Sequence, residues 1–162
     1  MSTFPDQIAD DEIIVRALFS PYHIADSGKL KKEAFKPQRG SNKISVMRHS
    51  WLGSSGCKKK AKELAKPDKI YKGFAALRAK QITNIKCKVV DARNEYEGHA
   101  HIEIPCSRPV RNVKDNTDTN AEALRTINNF AEQLCAASGK PYIDPDPDND
   151  SWTTNEIGTS CP

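Results

Sequence analysis

The stretch Ile13-Ile14-Val15-Arg16-Ala17-Leu18-Phe19, stopped by Ser20 and Pro21, decides the fold. Apolar and β-branched residues fill it almost without a break, and such side chains suit a pleated surface better than a helix. It is also too short for a typical core helix. The reading is therefore a mostly buried strand, interrupted by one arginine.

Working outward from it, Ile44 to Arg48 gives a second short strand, and the serines and glycines of Ser50 to Gly56 mark a turn with Ser55 as a helix N-cap. From Gly56 to Lys66, Cys57, Ala61, Leu64 and Ala65 share one helical face, while Lys58, Lys59, Lys62 and Lys66 lie elsewhere and Pro67 ends the segment. That pattern predicts an amphipathic, lysine-covered helix. Ile70 to Leu77 reads as a strand with Gly73 at a bulge or close approach, and Ile82 to Val90 as a half-exposed strand. His99 to Ile104 alternates again before Pro105 closes it. The excursion from Tyr22 to Asn42 is loop-rich, with a short helical candidate at Lys29 to Phe35 docked by Leu30, Ala34 and Phe35.

The most regular helix runs from Asn120 to Ala137, with Leu124, Ile127, Phe130, Ala131 and Leu134 repeating at helical spacing and Gly139 and Pro141 just beyond its end. Strands outnumber crossover helices. The expected fold is thus a small α+β domain, a mainly antiparallel sheet of about five strands with the long C-terminal helix packed on one face.

The 162 residues suffice for one domain with its own core. The expected organisation is a flexible N-terminus over residues 1–11, one domain over 12–141, and an acidic, disordered tail over 142–162. In that tail Asp144, Asp146, Asp148 and Asp150 alternate with proline and asparagine. The series fails as a calcium loop, because Asn149 and Asn155 stand where a glycine and a bidentate glutamate are needed.

The formal net charge of +4, from 25 Lys and Arg against 21 Asp and Glu, understates how basic the body is, because no base follows Lys140. A basic body suits a polyanionic partner. No run reaches the roughly 20 apolar residues of a membrane span, and the N-terminus has no secretory pattern, so a cytoplasmic chain without a membrane partner is expected. Cys57, Cys87, Cys106, Cys135 and Cys161 are odd in number and lack a C-x-x-C pair, which favours reduced thiols over a disulfide framework or a structural zinc site. Cys57 has lysine neighbours that would activate a thiol, but its helical phase buries it.

Two groups of residues carry candidate chemistry. Along a strand His99, His101 and Glu103 share one face, a spacing that brings together two imidazoles and a carboxylate for acid–base work. Strand histidines at i and i+2 also suit a metal, although the sequence assigns no metal site and names no cofactor. Alternation also produces this pattern whenever a strand simply shows a polar face to water. Arg16 and Arg48, each in an apolar strand, need a carboxylate or an anionic ligand. Together with Lys58, Lys59, Lys62 and Lys66 they form the candidate anion-binding set.

The first expectation for function is a noncatalytic binding or accessory module of a larger assembly, meeting a protein partner or nucleic acid through the basic surface. The alternative is a small enzyme acting on a nucleotide, NAD-like or phosphoester substrate, with the arginines holding anionic groups and His99, His101 and Glu103 as catalytic residues. The two differ geometrically. The enzyme needs Arg16 and the histidine strand in one concave pocket, and the module leaves the histidines scattered on an open sheet face.

Overall fold

The computed structural model describes residues 4–38, 40–105, 118–159 and 161, with the side chains of residues 118–120 excluded. Its strands are β1 (Ile13–Ser20), β2 (Lys43–Arg48), β3 (Ile70–Arg78), β4 (Lys88–Asp91), β5 (His99–Glu103) and β6 (Tyr142–Ile143). The helices are α1 (His49–Leu64), α2 (Ala79–Asn84) and α3 (Asp118–Ser138), with a short 3-10 helix at Lys32–Phe35. All strands join one antiparallel sheet in the order β4-β5-β2-β1-β3-β6. The fold is α+β, as the sequence implies.

β1 lies inside the sheet and is covered on both faces, which explains why its sequence does not alternate. Ile14 and Leu18 join a cluster with Ala34, Phe35, Ile82, Ala131 and Leu134, while Val15, Ala17 and Phe19 join Cys57, Ala61, Phe74 and Ile157. The α3 and 3-10 side therefore caps one face and the α1 side the other. Leu124, expected on the apolar face of α3, is exposed, whereas Ala131 and Leu134 are fully buried.

Three segments differ from the sequence reading. The stretch read as one strand over Ile82–Val90 divides into the end of α2, a reversal at Lys86 with φ 76°, and β4. The Gln81 side chain accepts a hydrogen bond from the Arg78 backbone N–H at 2.9 Å, a local cap that starts a helix where β-branched Ile82 and Thr83 suggest a strand. Burial of Ile82 then favours this arrangement by about 1.5–3 kcal/mol. α1 begins earlier than expected, at His49, and is broken at Gly53, whose φ of 69° only glycine adopts readily.

The third difference concerns the C-terminal segment, expected to be disordered from residue 142. β6 pairs with β3 there, at Gly73↔Ile143 and Phe74↔Tyr142. Gly73 sits at a register shift of the β1–β3 ladder, and a Cβ on it would overlap the Tyr142 backbone carbonyl. Gly73→Ala should accordingly destabilise the protein by about 2–4 kcal/mol, through overlap with backbone and through a φ of 150° that alanine avoids. Chemical denaturation checks this. A loss below about 0.5 kcal/mol would mean that β6 does not hold its place.

Lys58 fixes the same segment from the other side. It was expected on the solvent face of α1, but it is fully buried, its Nζ 2.9 Å from Asp144 Oδ2 and donating to the carbonyls of Asp146 at 2.7 Å and Ser151 at 3.0 Å. Tyr71 donates to Asp144 Oδ2 at 2.7 Å. Burial works to raise the Asp144 pKa, but hydrogen bonds from Tyr71 and Lys58 outweigh it and hold the carboxyl below its usual range.

His23 is buried next to β1 and accepts a hydrogen bond from the Phe19 backbone N–H through Nδ1, at 3.2 Å. Burial, together with the charges of Arg16 and Lys69, pulls its pKa from 6.5 to about 3. The unfolded chain therefore binds the extra proton between those two values. Stability is full above pH 6.5 and falls by at most about 1.4 kcal/mol per pH unit as the pH drops toward 3. A series of melting temperatures across this range should show the slope, and His23→Asn, which keeps an acceptor, should reduce it.

Candidate functional site

β1 and β2 are paired at Ile14↔Arg48 and Val15↔Met47, and their ladder ends there. Beyond it β1 continues against β3, while β2 turns its other edge to β5. The Arg16 side chain bridges the parted strands, donating from Nη1 to the Ser45 carbonyl of β2 at 2.9 Å and from Nε to the Ala34 carbonyl at 2.8 Å. A cleft of about 600 Å³ opens beside it, lined among others by Lys36, Lys43, Ser45, Glu95, Tyr96, His99 and His101.

The histidines come from the β4–β5 hairpin. Register Asp91↔Ala100 and Val90↔His101 folds the intervening turn back over β5, tied by Ala92 N–H to the His99 carbonyl at 2.9 Å and by Gly98 at φ 82°. The turn brings Glu95 and Tyr96 over the imidazoles. Glu95 Oε2 lies 3.0 Å from His99 Nδ1, and Glu95 Oε1 lies 3.5 Å from His101 Nε2. The two imidazole rings meet edge-on with centroids 4.6 Å apart, and Tyr96 packs on His99 at 4.3 Å.

Burial separates the two histidines. His99 is 1% exposed, its Nε2 is 2.7 Å from Ser45 Oγ, and its Nδ1 is buried without a hydrogen bond among the described residues. That burial lowers its pKa, against the opposing pull of Glu95, and so favours the uncharged ring. His101 keeps 16% of its side chain exposed. The Tyr96 hydroxyl is also buried without a hydrogen bond among the described residues, and burial pushes its pKa up to about 12.

Arg16 is half-buried and has no carboxylate partner among the described residues. Burial pulls its pKa down to about 10, with only a weak opposing effect of Tyr96. A desolvated cation held by two neutral carbonyls is electrostatically unsatisfied, and an anion in the cleft would complete it.

Arg48, expected to join this pocket, does not line the cleft. It is 2% exposed, with its fork taken by Glu12 at 2.8 and 3.1 Å and by Asp91 at 2.7 Å, and it donates further to the Pro5 carbonyl at 2.7 Å. Burial opposes its charge, but the hydrogen bonds it donates to Glu12 and Asp91 prevail and raise its pKa. Arg93 extends the network to Asp91 and Asp6, and Phe4 stacks on Trp51 at 5.0 Å beside it. These contacts attach the N-terminal arm, expected to be flexible, from residue 4 onward.

Glu103 does not line the cleft either, although it shares a strand face with the histidines. It lies in register with Lys43 and Lys88 at the far end of β5. Glu95 supplies the carboxylate in its place. Of the lysine set, Lys58 is consumed by Asp144, while Lys59 and Lys66 are exposed and Lys62 lies 3.6 Å from exposed Asp150. Cys57 is buried and its thiol pKa is pushed up to about 12, chiefly by burial, which removes it as a nucleophile. Cys57, Cys87, Cys135 and Cys161 are free of disulfides, and Cys106 lies outside the described residues. Among the described residues no helix is long and apolar enough to cross a membrane. No family model, curated protein or solved structure matches this chain.

Proposed function

We propose that the chain is a small enzyme that takes an anionic, phosphate-bearing substrate, a nucleotide or other phosphoester, in the Arg16 cleft. One observation carries this reading: a half-buried guanidinium with no carboxylate partner among the described residues stands in the same cleft as a histidine pair and its glutamate. Arginine offers phosphate a planar fork, and Lys36 and Lys43 add positive charge to the same cleft. His101, the more exposed imidazole, is the group for proton transfer to or from the reacting oxygen, with Glu95 orienting it. His99, held near Ser45, positions Glu95 and Tyr96 rather than meeting substrate.

The test is phosphate release from a panel of nucleotides and simple phosphomonoesters and diesters. His101→Gln should reduce turnover by about 10²–10⁴-fold with substrate affinity little changed. Equal turnover in the variant, or no turnover on any member of the panel, would overturn the assignment.

A noncatalytic module remains the competing reading, supported by the exposure of Lys59 and Lys66 on and beyond α1. It requires salt-dependent binding to any polyanion, indifferent to Arg16. Convergence of polar groups on the histidines favours the enzyme.

A further inference from the structure

We propose that Glu95, His99 and His101 bind one divalent transition-metal ion of the zinc class at the wall of the Arg16 cleft. This inference rests on the geometry of these three side chains and needs no particular substrate.

One ligand atom from each of the three residues lies within 4.8 Å of the other two. The nearer approaches are 3.0 Å from Glu95 to His99 and 3.5 Å from Glu95 to His101. Ligands bonded at about 2.0–2.2 Å to a common ion stand roughly 3.0–3.5 Å apart, so each histidine already has nearly the required spacing from one of the two Glu95 oxygens. Glu95, an exposed side chain on a turn, is the easiest of the three to move toward the ion.

The orientation of His99 points the same way. Its Nε2 is 2.7 Å from Ser45 Oγ, and in the tautomer protonated at Nε2 that hydroxyl accepts the ring N–H, as metal-bound histidines commonly require of their second nitrogen. The Nδ1 lone pair then faces a Glu95 oxygen at 3.0 Å without a hydrogen bond, buried and unsatisfied. Two electron-pair donors directed at one point repel each other, and a cation between them removes the conflict. Two imidazoles and one carboxylate suit zinc, cobalt, nickel or ferrous iron better than calcium or magnesium. Three protein ligands also leave coordination positions open, the pattern of a catalytic rather than a structural site. With the ion bound, His101 would be a ligand, and a water held at an open position and acidified next to an anion on Arg16 would take over the proton transfer that the metal-free imidazole otherwise performs.

Protein stripped with a chelator and titrated with Co²⁺ should develop visible d–d absorption that saturates at one equivalent and is displaced by one equivalent of Zn²⁺. Because His99 is buried, Glu95→Gln and His101→Gln carry the test, each confirmed as folded by circular dichroism. Each should weaken Co²⁺ binding by at least about 10–100-fold. The proposal fails if folded wild-type protein shows no saturable band, or if both variants bind Co²⁺ as the wild type does. Nucleotide binding measured in the presence of chelator reports on Arg16 without the metal, so either idea can fail while the other stands.

Discussion

Asp144→Ala should lower the unfolding free energy by about 3–5 kcal/mol, the cost of leaving a buried charge without its partner. Lys58 is fully buried, and its remaining partners, the carbonyls of Asp146 and Ser151, belong to the very segment that Asp144 anchors. Tyr71 loses its acceptor in the same change. The loss should therefore extend to Ile157, which packs on the α1 face of the sheet, and to β6, which pairs with β3 at its edge. Denaturant melts give the magnitude, and hydrogen exchange at Tyr142, Ile143 and Ile157 should rise more than at Ala131 and Leu134. The pair Lys58→Met with Asp144→Leu should recover much of the loss, since replacing both charges by apolar groups is often neutral. A single variant within about 1 kcal/mol of wild type would mean that the ion pair is not desolvated.

Arg16→Met should weaken binding of a nucleoside phosphate by about 10²–10³-fold, the range seen when one member of a close charge pair is removed. Protein stability should change far less, because methionine fills a similar volume and removes an unsatisfied buried charge. Arg16→Lys should recover only part of the affinity, since an ammonium cannot reproduce two fixed carbonyl contacts and still present a fork. Lys59→Ala and Lys66→Ala, on an exposed surface, should leave affinity within about threefold.

How much of this was legible in the sequence depends on whether the deciding contacts are local. β1 could be read from its own residues, because a strand covered on both faces is continuously apolar, and the phase of α3 from the repeat that puts Ala131 and Leu134 inward. The face shared by His99 and His101 also follows from alternation alone. Glu95 could not be read this way. It reaches the histidines only through the backbone path of the β4–β5 turn, and no periodicity encodes that path.

Lys58 and Arg48 show the limit from the other direction. A lysine on a lysine-rich helix reads as solvated, and only the return of a distant segment bearing Asp144 converts it into a core residue. The sequence of β2 shows that Arg48 needs a partner but not which, because Glu12 and Asp91 come from the start of the chain and from the end of β4. Arg16 raised the same demand and found two carbonyls instead of carboxylates. The difference between the two arginines is set by sheet order and by the parting of β1 from β2, which are long-range facts.

The most direct measurement is an NMR titration of the folded protein with a nucleoside monophosphate in the presence of chelator, following the side-chain nitrogens of Arg16, His99 and His101. The three should shift together and saturate with one dissociation constant, while His23 and His49 stay unmoved. Saturable shifts confined to the lysines of α1, with Arg16 and His101 unchanged, would contradict the account and return the chain to a basic binding module.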